Sequence, residues 1–136
     1  MPDIHVSAAV IVDDEGRVLV VRKEGTTTFM QPGGKPEPGE SPAQTLIREL
    51  HEELGLLLEE RDLRPLGTFA SAAANEPGHR VVAEAFATSV DPEAVTVQAE
   101  LAELRWITRE DMPTLALAPL STEHLLPIAW PALAQD

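Results

Sequence analysis

The sequence predicts an α+β fold, with a mixed β-sheet sandwiched between helices in an α/β/α arrangement. Three observations carry this expectation. Residues 4–12 alternate as a strand does, with apolar residues on both faces. Residues 41–55 hold a complete set of helix start, stripe and stop signals. The remaining apolar runs give the order β-β-(β)-α-β-β-β-α, in which helices have a sheet to pack on. The chain has 136 residues and is 43% apolar, so one domain is expected to fill residues 1–136 and to bury a real core.

Ile4, Val6, Ala8, Val10 and Val12 interleave with His5, Ser7, Ala9 and Ile11 to make the first strand. Asp13-Asp14-Glu15-Gly16 is a turn signal, and Val18 to Val21 is a second apolar run, so the pair reads as a β-hairpin. Thr26 to Gln31 is a short β-prone stretch. Pro32 to Glu40 holds three prolines and three glycines in nine residues and reads as a loop. The helix follows over roughly 42–54. Ser41 fits the N-cap, Gln44 completes a capping box and Pro42 suits the first helical position. Ala43, Leu46, Ile47, Leu50 and Leu54 form one buried stripe, and Gly55 suits a left-handed stop. Strands are expected over Leu63 to Ala72, His79 to Val90 and Leu104 to Thr108, with a turn at Asn75-Glu76-Pro77-Gly78. Asp111 falls in a short helix closed by Pro113. Leu120 to Ala134 suits a C-terminal helix that Pro127 and Pro131 kink or split.

Composition excludes several classes of function. Ten basic residues against 23 acidic ones leave a net charge of −13. A general basic surface for nucleic acid is therefore not expected, nor a polybasic membrane anchor. With no cysteine, disulfides, thiolate metal sites and cysteine nucleophiles are ruled out. Met1 to Val12 does not read as a signal peptide, and no apolar run is long enough to span a membrane. A soluble cytoplasmic protein is the expectation.

The chemistry concentrates in GKPEPGESPAQTLIRELHEELGL, residues 34–56. Glu49, Glu52 and Glu53 are spaced i, i+3, i+4 and project from one side of the helix. Like charges at that spacing repel, and a cation would offset the repulsion. Hard oxygen ligands select Mg²⁺ or Mn²⁺. Acidic triplets on helices are often just solvated faces, so the surroundings decide. Arg48 can pair with a neighbouring carboxylate and fix its rotamer. Pro32-Gly33-Gly34 brings a bare backbone up to the helix, and Glu40 precedes the N-cap, where the helix dipole favours negative charge.

This segment resembles the Nudix box, G-x5-E-x7-R-E-U-x-E-E-x-G-U, where U is a bulky aliphatic residue. Gly34, Glu40, Arg48, Glu49, Leu50, Glu52, Glu53, Gly55 and Leu56 fill every specified position. The resemblance implies a Nudix fold and hydrolysis of a nucleoside diphosphate linked to another group. It implies Mg²⁺ (or Mn²⁺) held by Glu49, Glu52, Glu53 and the Gly33 carbonyl. A later carboxylate is expected to join them, with Glu100 the candidate and Glu103 the alternative. A carboxylate then takes a proton from the attacking water, with Glu49 favoured and Arg48 orienting it. Arg22, Lys23 and Lys35 are candidates for phosphate oxygens. Gly34 and Phe29 join them as candidate substrate contacts, Phe29 packing against either the core or a base. His51 reads as exposed and not a ligand, the scattered His5, His79 and His124 carry no functional role, and Trp106 and Trp130 read as core.

Residues outside the box set the expected substrate. The proline about sixteen residues past the box that marks ADP-ribose hydrolases is missing, since Pro65 and Pro77 fall nine and twenty-one residues past Leu56. The tyrosine of dinucleoside polyphosphate hydrolases is missing too, because the chain has none. Elimination leaves a hydrolase of nucleoside triphosphates or modified nucleotides, of the house-cleaning type. The alternatives are a hydrolase of a nucleotide sugar such as ADP-ribose, or a module that senses nucleotides without cleaving them. The expected partner is a small nucleotide, with neither nucleic acid nor membrane. Many small members are dimers, so the resemblance also allows a homodimer.

Overall fold

A computed structural model describes residues 3–130 apart from Asn75 and Ala99. One mixed sheet runs through it. Its strands are β1 (Asp3–Val12), β2 (Val18–Lys23), β3 (Gly33–Gly34), β4 (Arg64–Ala72), β5 (Arg80–Ser89) and β6 (Leu101–Ile107). The order across the sheet is β4-β5-β1-β2-β6, and β3 pairs with β1 off that path. β1 lies parallel to β5 from Asp3↔Arg80 to Val12↔Ser89, while the other pairs are antiparallel.

The alternation in β1 divides the core. Ala9 and Ile11 face α1 (Pro42–Leu54) and pack with Leu46, Leu50 and Leu54. Ala8 and Val10 face the opposite way, against Ala83, Ala85, Leu120, Leu125 and Leu126. This is the three-layer arrangement the sequence predicts. α1 carries every expected signal. The Gln44 N–H donates to Ser41 Oγ at 3.2 Å, and Gln44 Oε1 accepts the Ser41 N–H at 2.9 Å. Gly55 closes the helix at φ 71°, its N–H donating to the His51 carbonyl.

Four expectations need correction. β1 and β2 meet only at Val12↔Val18, so the hairpin is short. Most of β1 pairs instead with β5, a long-range partner that local patterning does not reveal. Gly33–Gly34, expected in a loop, forms a strand against Ser7 and Ala8. A Cβ on Gly33 would overlap the Ser7 carbonyl oxygen, so only glycine permits this approach. β6 begins at Leu101, three residues before the expected Leu104. The C-terminal helix is a π-helical turn, Ser121–Leu125, followed by a short α2, Leu126–Ala129. Pro127, which has no N–H to donate, falls where the π turn gives way to α2, while Pro131 and Ala134 lie outside the described residues, as does Asn75. Thr26 to Gln31 contributes only the isolated bridges Val21↔Met30 and Phe29↔Leu117. Asp111 and Pro113 lie within a 3-10 segment, Arg109–Thr114. Among the described residues, no helix is long and apolar enough to cross a membrane.

Leu50 is fully buried between α1 and the sheet. Leu50→Ala is expected to cost about 2–5 kcal/mol. Urea unfolding checks this as a lower midpoint at unchanged slope.

Candidate active site

α1 turns Glu49, Glu52 and Glu53 toward an open cleft of about 1010 Å³, which Gly33, Gly34, Lys23, Lys35, Arg48 and Glu100 also line. Local structure explains each placement. β3 crosses in front of the helix, and Gly34 lies against Glu49 so closely that a Cβ there would overlap the Glu49 carboxyl. The Gly33 N–H donates to Glu53 Oε1 at 3.4 Å. Beyond α1, the N–H groups of Thr96 and Gln98 donate to the carbonyls of Leu54 and Glu53. The same segment continues to Glu100, whose carbonyl accepts the Glu24 N–H at 2.9 Å at the end of β2. One stretch of chain thus caps the helix and carries Glu100 to the cleft.

Arg48 ties the acidic residues together. Its Nε donates to Glu40 at 2.7 Å, and Nη1 donates to Glu49 at 2.9 Å and Glu52 at 3.0 Å. Nη2 donates to Glu40 and to the Lys35 carbonyl. Such charge-assisted bonds are stronger than neutral ones and fix the orientation of the carboxylates. They hold the Glu40 carboxyl down at about 2, with help from the Glu37 N–H and the Thr45 hydroxyl, and they push the Arg48 pKa up. The Glu40–Arg48 pairing is the role that spacing along the helix did not reveal, since Glu40 precedes the N-cap. The motif held the signal, because both residues occupy its fixed positions.

Burial acts the other way on the inner pair. Glu53 is 6% exposed, and its carboxyl is pushed up to about 7. Desolvation is the main cause; repulsion from Glu49 and Glu100 adds to it, while Lys23 and the Gly33 N–H oppose it. Desolvation also raises Glu49, against the pull of Arg48. A buried, mutually repelling set of carboxylate oxygens is a donor set that suits a hard divalent cation. Among the described residues, the three carboxylates already within 4.8 Å of one another are elsewhere, at Asp13, Asp14 and Glu15 in the β1–β2 turn. There the Asp13 carboxylate accepts the N–H groups of Glu15 and Arg17 and pairs with the Arg17 guanidinium, which makes it a turn device. In the helix, Arg48 Nη1 sits between Glu49 and Glu52.

Two candidate substrate contacts are not brought to the cleft. Arg22 donates to Glu103 at 2.9 Å and to the Thr26 carbonyl, on the β2–β6 surface. Phe29 is buried with Val20 and Ile107, and the guanidinium of Arg105 lies 5.3 Å from its ring. Glu103, bound to Arg22 and Arg105, is likewise occupied, whereas Glu100 lines the cleft. His51 is exposed; His124 Nε2 lies 3.0 Å from the Ala70 carbonyl oxygen. Trp106 packs at the edge of the α1-side core, and Trp130 donates from Nε1 to the Gly16 carbonyl. Gln31 and Ser121 also line the cleft, and nothing in their spacing marks them.

This fold and this box are those of a known family. The chain belongs to the NUDIX domain family, whose pattern it matches over residues 1–130. Its architecture is the α+β Nudix fold. The Nudix hydrolase YvcI of Bacillus subtilis (strain 168) is 28% identical over 113 residues, covering 80% of this chain and 69% of that protein. An RNA pyrophosphohydrolase of Pseudoalteromonas translucida (strain TAC 125) is 41% identical over 54 residues, 40% of this chain and 31% of that protein. The chain thus spans about a third of the length of that curated relative. The solution structure of the E. coli ORF135 protein superposes with a TM-score of 0.71 at 28% identity, covering 98% of this chain and 92% of that one.

The raised Glu53 sets a pH dependence. Its folded-state pKa, about 7, exceeds its ordinary 4.5, so between those values the folded protein binds more protons than the unfolded chain. This group's contribution to stability therefore falls as pH rises from about 4.5 to 7. In the presence of chelator, Glu53→Gln is expected to melt above wild type at pH 8, with the gap closing toward pH 4.5. Thermal melts of both proteins across that range check the sign.

Proposed function

We propose that this protein is a divalent-metal-dependent pyrophosphohydrolase that cleaves a phosphoanhydride bond in a nucleoside diphosphate derivative, a nucleoside triphosphate or modified nucleotide above all. One observation carries the reading: Glu49, Glu52 and Glu53 line one cleft with Gly33 and Gly34, the first two held by Arg48 and the third by the Gly33 N–H, in a chain of this family. Nudix hydrolases use divalent metals, and Mg²⁺ or Mn²⁺ fits the all-oxygen set of Glu49, Glu52, Glu53, Glu100 and the Gly33 carbonyl. When bound, the ion neutralises phosphate charge and makes water a better nucleophile at neutral pH.

The protein's own residues supply the rest. Lys23 and Lys35, at the cleft, meet phosphate oxygens, and Gly34, bare of a side chain, leaves room for the Glu49 carboxyl beside β3. Water attacks phosphorus in line, the bridging P–O bond breaks, and the water's proton passes to a carboxylate. Glu49 takes this role, since desolvation raises its affinity for a proton while Arg48 fixes its orientation. Arg48 is a positioning residue. The net charge of −13 favours small nucleotides over long nucleic acids, which repel the surface on which the cleft opens. The similarity to the RNA pyrophosphohydrolase of Pseudoalteromonas translucida covers 40% of this chain and 31% of that protein, so it supports the chemistry more than the leaving group.

The test is a panel of nucleoside triphosphates, oxidised triphosphates, ADP-ribose and 5′-triphosphorylated RNA, each with Mg²⁺ and product analysis. Turnover of a triphosphate, lost with chelator, is expected. Glu52→Gln is expected to lower kcat by orders of magnitude, with the melting temperature in chelator unchanged or higher because a like charge is removed. Turnover without metal, or near-wild-type activity of Glu52→Gln across the panel, would overturn the assignment.

A further inference from the structure

The cleft continues past the acidic residues. Beyond the β3 glycines it is lined by Ile4 and Val6 of β1, Val81 of β5 and Leu120. Gln31 lines it as well, two residues before β3. Its carbonyl oxygen accepts the Ser121 hydroxyl at 2.5 Å, and the two side chains belong to residues 6% and 1% exposed. Its Nε2 is buried and, among the described residues, has no hydrogen-bond partner. A buried donor without an acceptor is costly in the free protein, and native chains keep few of them. Ser121 also opens the π-helical turn Ser121–Leu125. Such turns are rare and concentrate at functional sites. Two unfavourable features therefore meet at one hydrogen bond, on the part of the cleft lined by apolar side chains.

We propose that Gln31, oriented by Ser121, reads the base of the nucleotide: its Nε2 donates to a carbonyl oxygen on a ring held among Ile4, Val6, Val81 and Leu120. Ser121 fixes the carbonyl end of the amide, which leaves the NH₂ end as the reader. Because Nε2 is covered in the free protein, binding pivots the amide about its held Oε1, which keeps the Ser121 hydrogen bond and brings the NH₂ end to the ligand. A site built to donate a hydrogen bond rejects a ligand that lacks the acceptor. The cleft therefore takes nucleotides whose base carries a carbonyl oxygen at purine C6 or pyrimidine C4 ahead of those without one. This inference rests on the nucleotide reading above and assigns its base specificity.

Binding of monophosphates tests it without any turnover. Two pairs serve: inosine and purine riboside 5′-monophosphates, which differ at the 6-oxygen and the adjoining ring proton, and the 5′-monophosphates of uridine and of the pyrimidin-2-one riboside, which share the 2-oxygen and differ at the 4-oxygen and the adjoining ring proton; the first-named is the oxygenated member of each pair. Both are titrated into the full chain with Mg²⁺, following the Gln31 side-chain NH₂ signals by NMR. In at least one pair the oxygenated member is expected to bind about tenfold tighter. It alone is expected to move the Gln31 signals. In Gln31→Met/Ser121→Ala the preference is expected to vanish while the melting temperature holds or rises, since both polar partners have gone together. Equal affinities within both pairs would overturn the inference. So would a preference that survives the double substitution, or Gln31 signals that no nucleotide moves. Turnover of triphosphates without base discrimination defeats this inference alone. Discrimination without turnover defeats the hydrolase reading alone.

Discussion

The whole arrangement depends on one guanidinium. Three carboxylates crowd within about one helical turn, and the two partly or fully withdrawn from water, Glu49 and Glu53, resist ionisation. Arg48 offsets that cost by bonding to Glu49 and Glu52 on its own helix and to Glu40 ahead of it. Its remaining bond, to the Lys35 carbonyl, pins the glycine-rich loop to the helix. An ammonium could not make these contacts together, because only the planar fork of arginine presents several donors in fixed directions. Glu53 stands outside the clamp. It is left with burial, repulsion and a long bond from the Gly33 N–H, and it holds its proton up to about pH 7.

The fold supports this cluster from every side. The stripe of Leu46, Leu50 and Leu54 anchors one face of α1 to the sheet, and helical spacing places Glu53 at the buried edge of that stripe with Glu49 and then Glu52 progressively farther round. The capping box fixes where the helix starts, and Gly55 with the N–H groups of Thr96 and Gln98 fixes where it ends. β3 can run between the helix and β1 only because its two residues have no side chains. Beyond β3, the apolar part of the cleft joins the acidic part in one continuous trough. The chemistry is thus held by regular elements, and loops contribute mainly Lys35 and Glu100.

Much of this was legible in the residues. Helix α1 could be read to within a residue, because capping, apolar stripe and glycine stop are all local signals. The acidic triad followed from helical spacing, and the motif supplied Arg48 and Glu40. What local signals do not carry is partner choice over distance. β1 alternates whether it pairs with β2 or β5, and the parallel β1–β5 ladder is set by packing across the sheet. Arg22 and Lys23 are neighbours in sequence, yet alternation along β2 sends them to different surroundings: Lys23 lines the cleft, and Arg22 binds Glu103. Phe29 precedes the glycines but faces the core beneath β2 and β6. Gln31 and Ser121 stand ninety residues apart. Only the folded chain shows that they touch.

The central claim is that Glu49, Glu52 and Glu53 act together as a hard-cation site. Adding Mg²⁺ to chelator-treated protein, with glutamate and aspartate side chains labelled with carbon-13 and their carboxyl signals followed by NMR, tests it most directly. Saturable shifts at Glu49, Glu52 and Glu53 are expected, together with a fall in the pH at which Glu53 loses its proton. Shifts confined to Asp13, Asp14 and Glu15, or none at the three helix carboxylates at saturating ion, would contradict it.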